Sequence, residues 1–399
     1  MNDDHEIDAV DRSVISLWAA VVVLLLGLSW KLWIPGFTDF PRIPVLNVLS
    51  SEVFLWLHYL AALVLVCGLA MIVLNFGSLR WGAGAVALSL AVLFCCNQHC
   101  LQPWAWQAFI IATVLFCMPI RKAKKWIGWL LISIYLYSAI GKFDYQFIYT
   151  TGDEFLATIT GWLGLAVAES WRPWLVLLFP VGELAIALGL MIRDTRRLAA
   201  CLAIVLHVSL IAVLSPLGLG HRWPVIVWNG LSVFLVVWLF FPESRKNTDL
   251  RESYSPLGYV GVAVALVVLF GPLLRPMQLW DHWLAWGLYS PSNSRVEVVV
   301  FDSGAELVEE PLQKYFVATN RSLGVGSRFA MEKWSLDELG VPIYPQARFQ
   351  KAAAVKWLDL QGIAPASRVF ELGPSNPWTG KRVEITVDPR QRDDIEFSN

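Results

Sequence analysis

Charge is what this chain has least of. Asp, Glu, Lys and Arg make up 16% of its 399 residues, against about 25% in an ordinary soluble protein, so a soluble two-domain enzyme is excluded. The net charge of −1 leaves no electrostatic footprint for nucleic acid. Cysteine is also scarce: Cys67, Cys95, Cys96, Cys100, Cys117 and Cys201 all fall in the apolar part, and nothing after them forms a disulfide framework. The one cluster, Cys95-Cys96-Asn97-Gln98-His99-Cys100, lacks the flanks of a metal motif. Free cysteine often serves as a small buried hydrophobe, so core filling stands against redox or metal chemistry, and no metal site is expected. No GxSxG, P-loop, HExxH or paired CxxC is present, and neither an internal repeat nor a low-complexity run.

Apolar residues make up 56% of the chain, with 21 Trp and 21 Phe. The charges it has are unevenly spread. Residues 1–288 hold 18 Lys+Arg and 17 Asp+Glu, whereas 289–399 hold 13 and 15. These figures predict an all-α polytopic membrane bundle followed by a small C-terminal α+β soluble domain. A spanning helix needs about 20 mainly apolar residues, which gives nine transmembrane helices at about 14–30, 53–75, 82–97, 103–119, 126–141, 173–192, 198–215, 224–242 and 257–275. The first is a retained helix, because acidic residues rather than basic ones precede it and no small-residue cleavage site follows. With residues 1–13 placed inside, the inner segments carry twelve Lys or Arg and the outer ones six, so the N-terminus is cytoplasmic and residues beyond 275 lie outside.

Residues 31–52, with Pro35, Pro41 and Pro44, are expected along the membrane interface. A capped helix is expected from Thr151/Asp153, on or dipping into the outer leaflet. Residues 276–289, with Trp280, Trp283 and Trp286 three apart, predict an interfacial amphipathic helix. In 290–399, strands are expected at 296–301, 369–372 and 383–387 and a helix at 348–360. Asn320-Arg321-Ser322 is a glycosylation acceptor only in a eukaryotic secretory setting.

An ionisable group inside a span costs about 2.5–3.5 kcal/mol at the membrane centre and marks function by default. Glu183, in Pro180-Val181-Gly182-Glu183, and His207 sit at similar depth on adjacent antiparallel helices, as a structural pair or a proton relay. The other polar residues gather at outer helix ends: His58, the run Asn97-Gln98-His99 through Gln102 and Gln107, Lys142 with Asp144, and Asn229. An outer-leaflet cavity has this pattern, and so does a scatter of interfacial residues. Lys142 either snorkels from its helix end or lies desolvated in the cavity as a usable base.

The stretch Tyr137-Ser138-Ala139-Ile140-Gly141-Lys142-Phe143-Asp144, continued by Gly152-Asp153-Glu154-Phe155-Leu156, resembles the horizontally transferred transmembrane (HTTM) domain family. This is the membrane part of vitamin K-dependent gamma-carboxylase and its bacterial relatives. Gln98-His99-Cys100-Leu101-Gln102-Pro103-Trp104 with Gln107, Pro180 to Glu183, and Trp223-Pro224 to Trp228-Asn229 are similar to family patterns, over roughly residues 14–275. The resemblance implies Lys142 as catalytic base, with Gly141 in place of a first lysine. In the enzyme reading His99, Glu183 and His207 are further catalytic candidates, and His58, Gln102, Gln107 and Asn229 are groups that orient a quinone or other lipophilic substrate. The family's histidine falls near Trp104 here and the tail is far shorter than the carboxylase's lumenal part, which sets carboxylation of peptides apart. The alternatives are a non-enzymatic lipid- or quinone-binding subunit, with a periplasmic protein or peptide docked on 290–399, and a proton-coupled transporter using Glu183 and His207. The implied location is a bacterial plasma membrane.

Overall fold

The computed structural model describes residues 8–45, 47–50, 55–241, 253–318 and 326–389. Its helices begin with α1 (Ala9–Leu28), α2 (Leu55–Val73), α3 (Leu79–Cys96), α4 (Pro103–Cys117) and α5 (Ile120–Lys142). They continue with α6 (Thr151–Trp162), α7 (Arg172–Met191), α8 (Arg196–Leu214), α9 (Trp223–Phe240) and α10 (Pro256–Met277). Seven of these described helices (α1, α2, α3 and α7 to α10) are long and apolar enough to cross a membrane, with mean hydropathy between 1.8 and 2.3. The protein is therefore a multi-pass membrane protein in its chemistry. Helix α4 is a shorter apolar helix, and α5 passes the same test only jointly with Tyr145–Trp162, across a 75° bend. That bend is where the chain leaves α5: Phe143 and Asp144 adopt non-helical angles, and the Asp144 carboxylate caps the next helix by accepting from the Gln146 N–H. Proline starts α4 and stands in the first turn of α9 and α10, where its missing N–H costs nothing.

The chain divides into two compact units. The first comprises residues up to Leu28, Leu60–Val92 and Pro103–Pro291. Its interior is filled by Trp18, Leu25, Leu65, Leu69 and Leu90, each at most 2% exposed. Asp11 of α1 accepts from Lys124 Nζ of α5 at 2.7 Å and from Trp238 Nε1 of α9 at 2.8 Å. Small residues let helices touch: a Cβ on Gly261 of α10 would stand 2.6 Å from Cys117 Cβ of α4.

The interfacial helix expected at 276–289 does not form. Residues Gly271–Met277 tighten into 3-10 turns, and the chain then runs as turns through Tyr289. Gln278, Trp286 and Tyr289 have φ of 59°, 56° and 58°, left-handed angles that no α-helix accommodates. Trp283 and Trp286 are buried rather than arrayed as a belt.

The second unit joins Ser29–Tyr59, Leu93–Gln102 and residues from Ser292 onward. Its sheet is antiparallel, in the order β2-β3-β1-β4-β5, with β1 Arg295–Phe301, β2 Phe316–Ala318, β3 Gly326–Phe329, β4 Ser367–Leu372 and β5 Glu384–Val387. Val298 of β1 faces Phe329 of β3 on one side and Val369 of β4 on the other. Helices α11 (Met331–Leu339) and α12 (Ala347–Leu360) complete it, and Gly340 ends α11 in the left-handed conformation at φ 73°. Trp357 of α12 stacks on Phe329 at 3.9 Å, and Trp334 of α11 meets the same ring edge-on. Strands β1, β4 and β5 and helix α12 fall where the apolar runs placed them. The pair β2 and β3 and helix α11 carry no such run and were not expected. Within this unit Phe40 packs on Trp334 at 4.7 Å and Lys31 bridges to Glu338 at 2.7 Å. Lys31 and Phe40 thus lie against the tail's own helix α11. Residues 1–7, the basic residues Arg245, Lys246 and Arg251, and Asn320-Arg321-Ser322 lie outside the described residues.

Candidate functional site

Lys142 ends α5, where a cation is favoured by the helix dipole, and its ammonium turns inward. The side chain is 3% exposed and donates to Glu183 Oε1 at 2.5 Å, Glu183 Oε2 at 2.7 Å and Ser138 Oγ at 2.8 Å. All three of its hydrogens are accounted for by these acceptors. Phe147 and Tyr289 present ring faces about 6 Å from Nζ. This is a desolvated lysine and not one that snorkels to an interface. Glu183, one of the buried residues of α7, reaches Lys142 because α5 and α7 pack along each other.

His207 of α8 is not the partner of Glu183. Its Nε2 lies 2.7 Å from the Tyr135 hydroxyl and its Nδ1 2.8 Å from Asn229 Oδ1. The amide nitrogen of Asn229 is committed to the Val225 carbonyl at 2.8 Å, so its oxygen faces the imidazole. His207 Nδ1 therefore carries the hydrogen, and Nε2 accepts from Tyr135. A second chain of hydrogen bonds runs Tyr135–His207–Asn229 beside the ion pair, and Tyr289 lines the same space. Burial pushes the Tyr289 phenol well above its ordinary pKa, with the Glu183 charge acting in the same direction. On the facing helices, Trp228 Nε1 donates to Gln107 Oε1 at 2.8 Å, which fixes Gln107 on the wall.

Between these groups lies a cavity of about 40 Å³ whose wall includes Gln107, Lys142, Glu183, His207, Asn229 and Tyr289. That space takes ~2–3 waters. A quinone ring does not fit it at this size.

The sequence gathered His58, Asn97, Gln98, His99, Gln102, Gln107, Lys142, Asp144 and Asn229 at outer helix ends, apart from the deeper Glu183 and His207, and the structure regroups them. Gln107, Lys142, Glu183, His207 and Asn229 meet in the first unit. His58, His99 and Gln102 belong to the second. There His58 Nε2 bonds to the Trp33 carbonyl at 3.1 Å and His99 Nε2 to the Pro342 carbonyl at 3.1 Å, while Gln102 donates to the His99 carbonyl at 2.9 Å. His99 is fully buried between Phe40 and Phe349, and that burial lowers its pKa to about 4. Asp144 caps a helix rather than entering the cavity. Tyr135, Ser138 and Tyr289 were missed. A tyrosine or serine is ordinary in an apolar helix of a chain with 13% aromatics, and only spacing i, i+4 to Lys142 marks Ser138.

Among the described residues no group of three His, Cys, Asp or Glu stands close enough to hold a metal. No family model, curated protein or solved structure matches this chain.

Proposed function

We propose that this chain is a bacterial plasma-membrane enzyme of the HTTM kind, with nine spans, a cytoplasmic N-terminus and an extracytoplasmic C-terminal domain. In this reading Lys142 is the base that takes a proton from a lipophilic substrate. The observation that carries it is the buried Lys142–Glu183 pair, closed off from solvent yet touching a water-sized cavity. An ammonium is no base. In this geometry its proton can pass along an existing hydrogen bond to Glu183, leaving a neutral amine beside a neutral acid. Both partners of a neutral pair are tolerated in a low dielectric, where isolated charges are not.

The amine then accepts the substrate's proton, and Glu183 returns its own to solvent or product. Tyr135, His207 and Asn229 form a neutral hydrogen-bonded wall that orients polar groups without competing for that proton. The substrate's reactive group meets the wall beside Leu288 and Tyr289, on the turn segment whose left-handed residues hold it in an irregular path. Quinone enters the reading only as the lipophilic partner that the HTTM resemblance implies, and no step is assigned to it.

The test is native mass spectrometry of the full chain in mild detergent, with lipid and quinone extraction. A stoichiometric lipophile bound to the parent protein and lost from a folded Lys142→Met/Glu183→Gln variant is expected. No lipophile in either protein overturns the reading and turns attention to a non-enzymatic role.

A further inference from the structure

Most polar hydrogens around the Lys142 cavity are spent inside the protein. Lys142 commits its own to Glu183 and Ser138, Tyr135 donates to His207, His207 to Asn229, and Trp228 to Gln107. Gln107 differs. An indole nitrogen only donates, so the atom 2.8 Å from Trp228 Nε1 is the amide oxygen, and Nε2 stands on the other arm of the fork. Among the described residues nothing accepts from Gln107 Nε2. Trp104 and Trp106 of the same helix have indole nitrogens sealed in protein without a partner, and Gln107 Nε2 is not so sealed. The side chain is 2% exposed and lines this cavity, in the same unit as Lys142 and Glu183. Buried amide groups almost always have a partner, so a nitrogen left open on a cavity wall points to a molecule that supplies the acceptor.

The chemistry of that acceptor follows from the charges around it. Lys142 is committed to Glu183, so an anion in this space meets a carboxylate and no cation to spare on the wall. A neutral oxygen is what remains. Water satisfies the amide when nothing else is bound. The space of ~2–3 waters admits a reacting group of similar size in its place: a carbonyl oxygen, its carbon and the carbon beside it. An alcohol oxygen also accepts, but its proton exchanges with water unaided. A proton on carbon does not, and its removal needs a base on one side and a hydrogen-bond donor for the oxygen on the other.

We propose that Gln107 is a catalytic residue of this site, the donor that holds the oxygen of a lipophilic ketone or ester while Lys142 removes a proton from the carbon next to the carbonyl. This rests on the reading of Lys142 as a base and adds the substrate class to it. The Nζ lone pair forms the new N–H bond as the C–H bond breaks. The C–H electron pair becomes the carbon–carbon double bond of an enolate. The carbonyl π pair moves onto the oxygen, where the Gln107 amide hydrogens meet it. Ammonium and enolate form an ion pair, and return of a proton to carbon closes the cycle with no oxidant or reductant. Trp228 is a positioning residue: its N–H pins the amide oxygen and so leaves the nitrogen for the substrate.

The probes are 2-undecanone and methyl decanoate, isotopically labelled at the carbonyl carbon and mixed with the full chain in detergent and deuterium oxide. Mass spectrometry reads deuterium uptake beside the carbonyl, and isotope-edited infrared spectra read the carbonyl stretch. The parent protein should speed uptake above the protein-free rate for at least one probe and move that probe's stretch to lower wavenumber. Gln107→Leu alone strands the Trp228 N–H, so the variant to read is Gln107→Leu/Trp228→Phe, which removes both partners. It should lose ~10²–10³-fold in uptake and return the stretch to its position in detergent alone. Should it fail to fold, Trp228→Phe takes its place, because it keeps the amide but unpins it; uptake and stretch equal to the parent's would then overturn the proposal. Uptake unchanged in the folded double variant but abolished in Lys142→Met/Glu183→Gln leaves the base in place and overturns the role of Gln107. A shifted stretch without uptake, or neither signal with either probe, overturns the carbonyl substrate, while a bound lipophile in native mass spectrometry still supports the Lys142 site.

Discussion

Removing the ammonium of Lys142 strands the Glu183 carboxylate, which is 6% exposed, with only neutral hydrogen-bonding groups nearby. Breaking a buried pair from one side costs about 3–5 kcal/mol, so Lys142→Met should melt well below the parent protein in detergent. Adding Glu183→Gln should recover most of that loss, because the neutral amide needs no counter-charge. A double variant no more stable than Lys142→Met would show that the pair is not coupled in this way. Loss of function in Lys142→Met alone therefore mixes folding with chemistry, and the double variant separates them. His99 carries a second residue-scale expectation. Its folded pKa of about 4 lies below the ordinary 6.5, so below pH 6.5 the unfolded chain takes a proton that the folded chain refuses. Stability should fall as the pH drops from about 6.5 through 4, by up to about 3 kcal/mol, and should be unaffected above that window. Melting curves at pH 7 and pH 5 for the parent and His99→Gln check this: the variant should lose part of the dependence. Glu183, His207, Lys142 and Asn229 were legible in the sequence because polar groups stand out in an apolar run. Their pairing was not, since equal depth on neighbouring helices does not fix which faces meet, and α5 rather than α8 turns its cation to Glu183.

At the scale of elements, packing rests on a few positions that admit no side chain. A Cβ at Gly261 of α10 meets Cys117 and Met118 at 2.6 and 2.8 Å. Gly261→Val should force the two helices apart and cost about 1–3 kcal/mol. Gly230→Ala on α9, where nothing lies within 4 Å, should be neutral or slightly stabilising. Comparing the melting temperatures of the two variants tests the assignment, and equal losses would contradict it. The long apolar helices were readable from length and hydropathy alone, because the requirement is local. The turns at 278–289 were not. Three tryptophans at three-residue spacing imitate an amphipathic helix, while the left-handed angles at Gln278, Trp286 and Tyr289 follow from tertiary packing that buries two of those rings. Strands β2 and β3, of three and four residues, are too short to show a period of their own.

At the scale of the molecule, the tail is not an appendage that can be cut away. His99 and Lys31 find partners in Pro342 and Glu338, and Phe40 packs on Trp334. A chain ending after Pro291 exposes the buried Phe40 and His99 and should aggregate or lose monodispersity in size-exclusion chromatography. A monodisperse truncated chain with the parent's melting temperature would show that those contacts are dispensable. The same arrangement sets a timetable for synthesis. At ~5–20 residues per second, ~10–50 s separate residue 59 from residue 292. The earlier segments of the second unit thus emerge long before the helices that will cover them. During that interval Phe40 and His99 lack the aromatic neighbours that later bury them. A nascent chain of this protein therefore depends on a waiting period that a chaperone or the insertion machinery must keep free of wrong encounters.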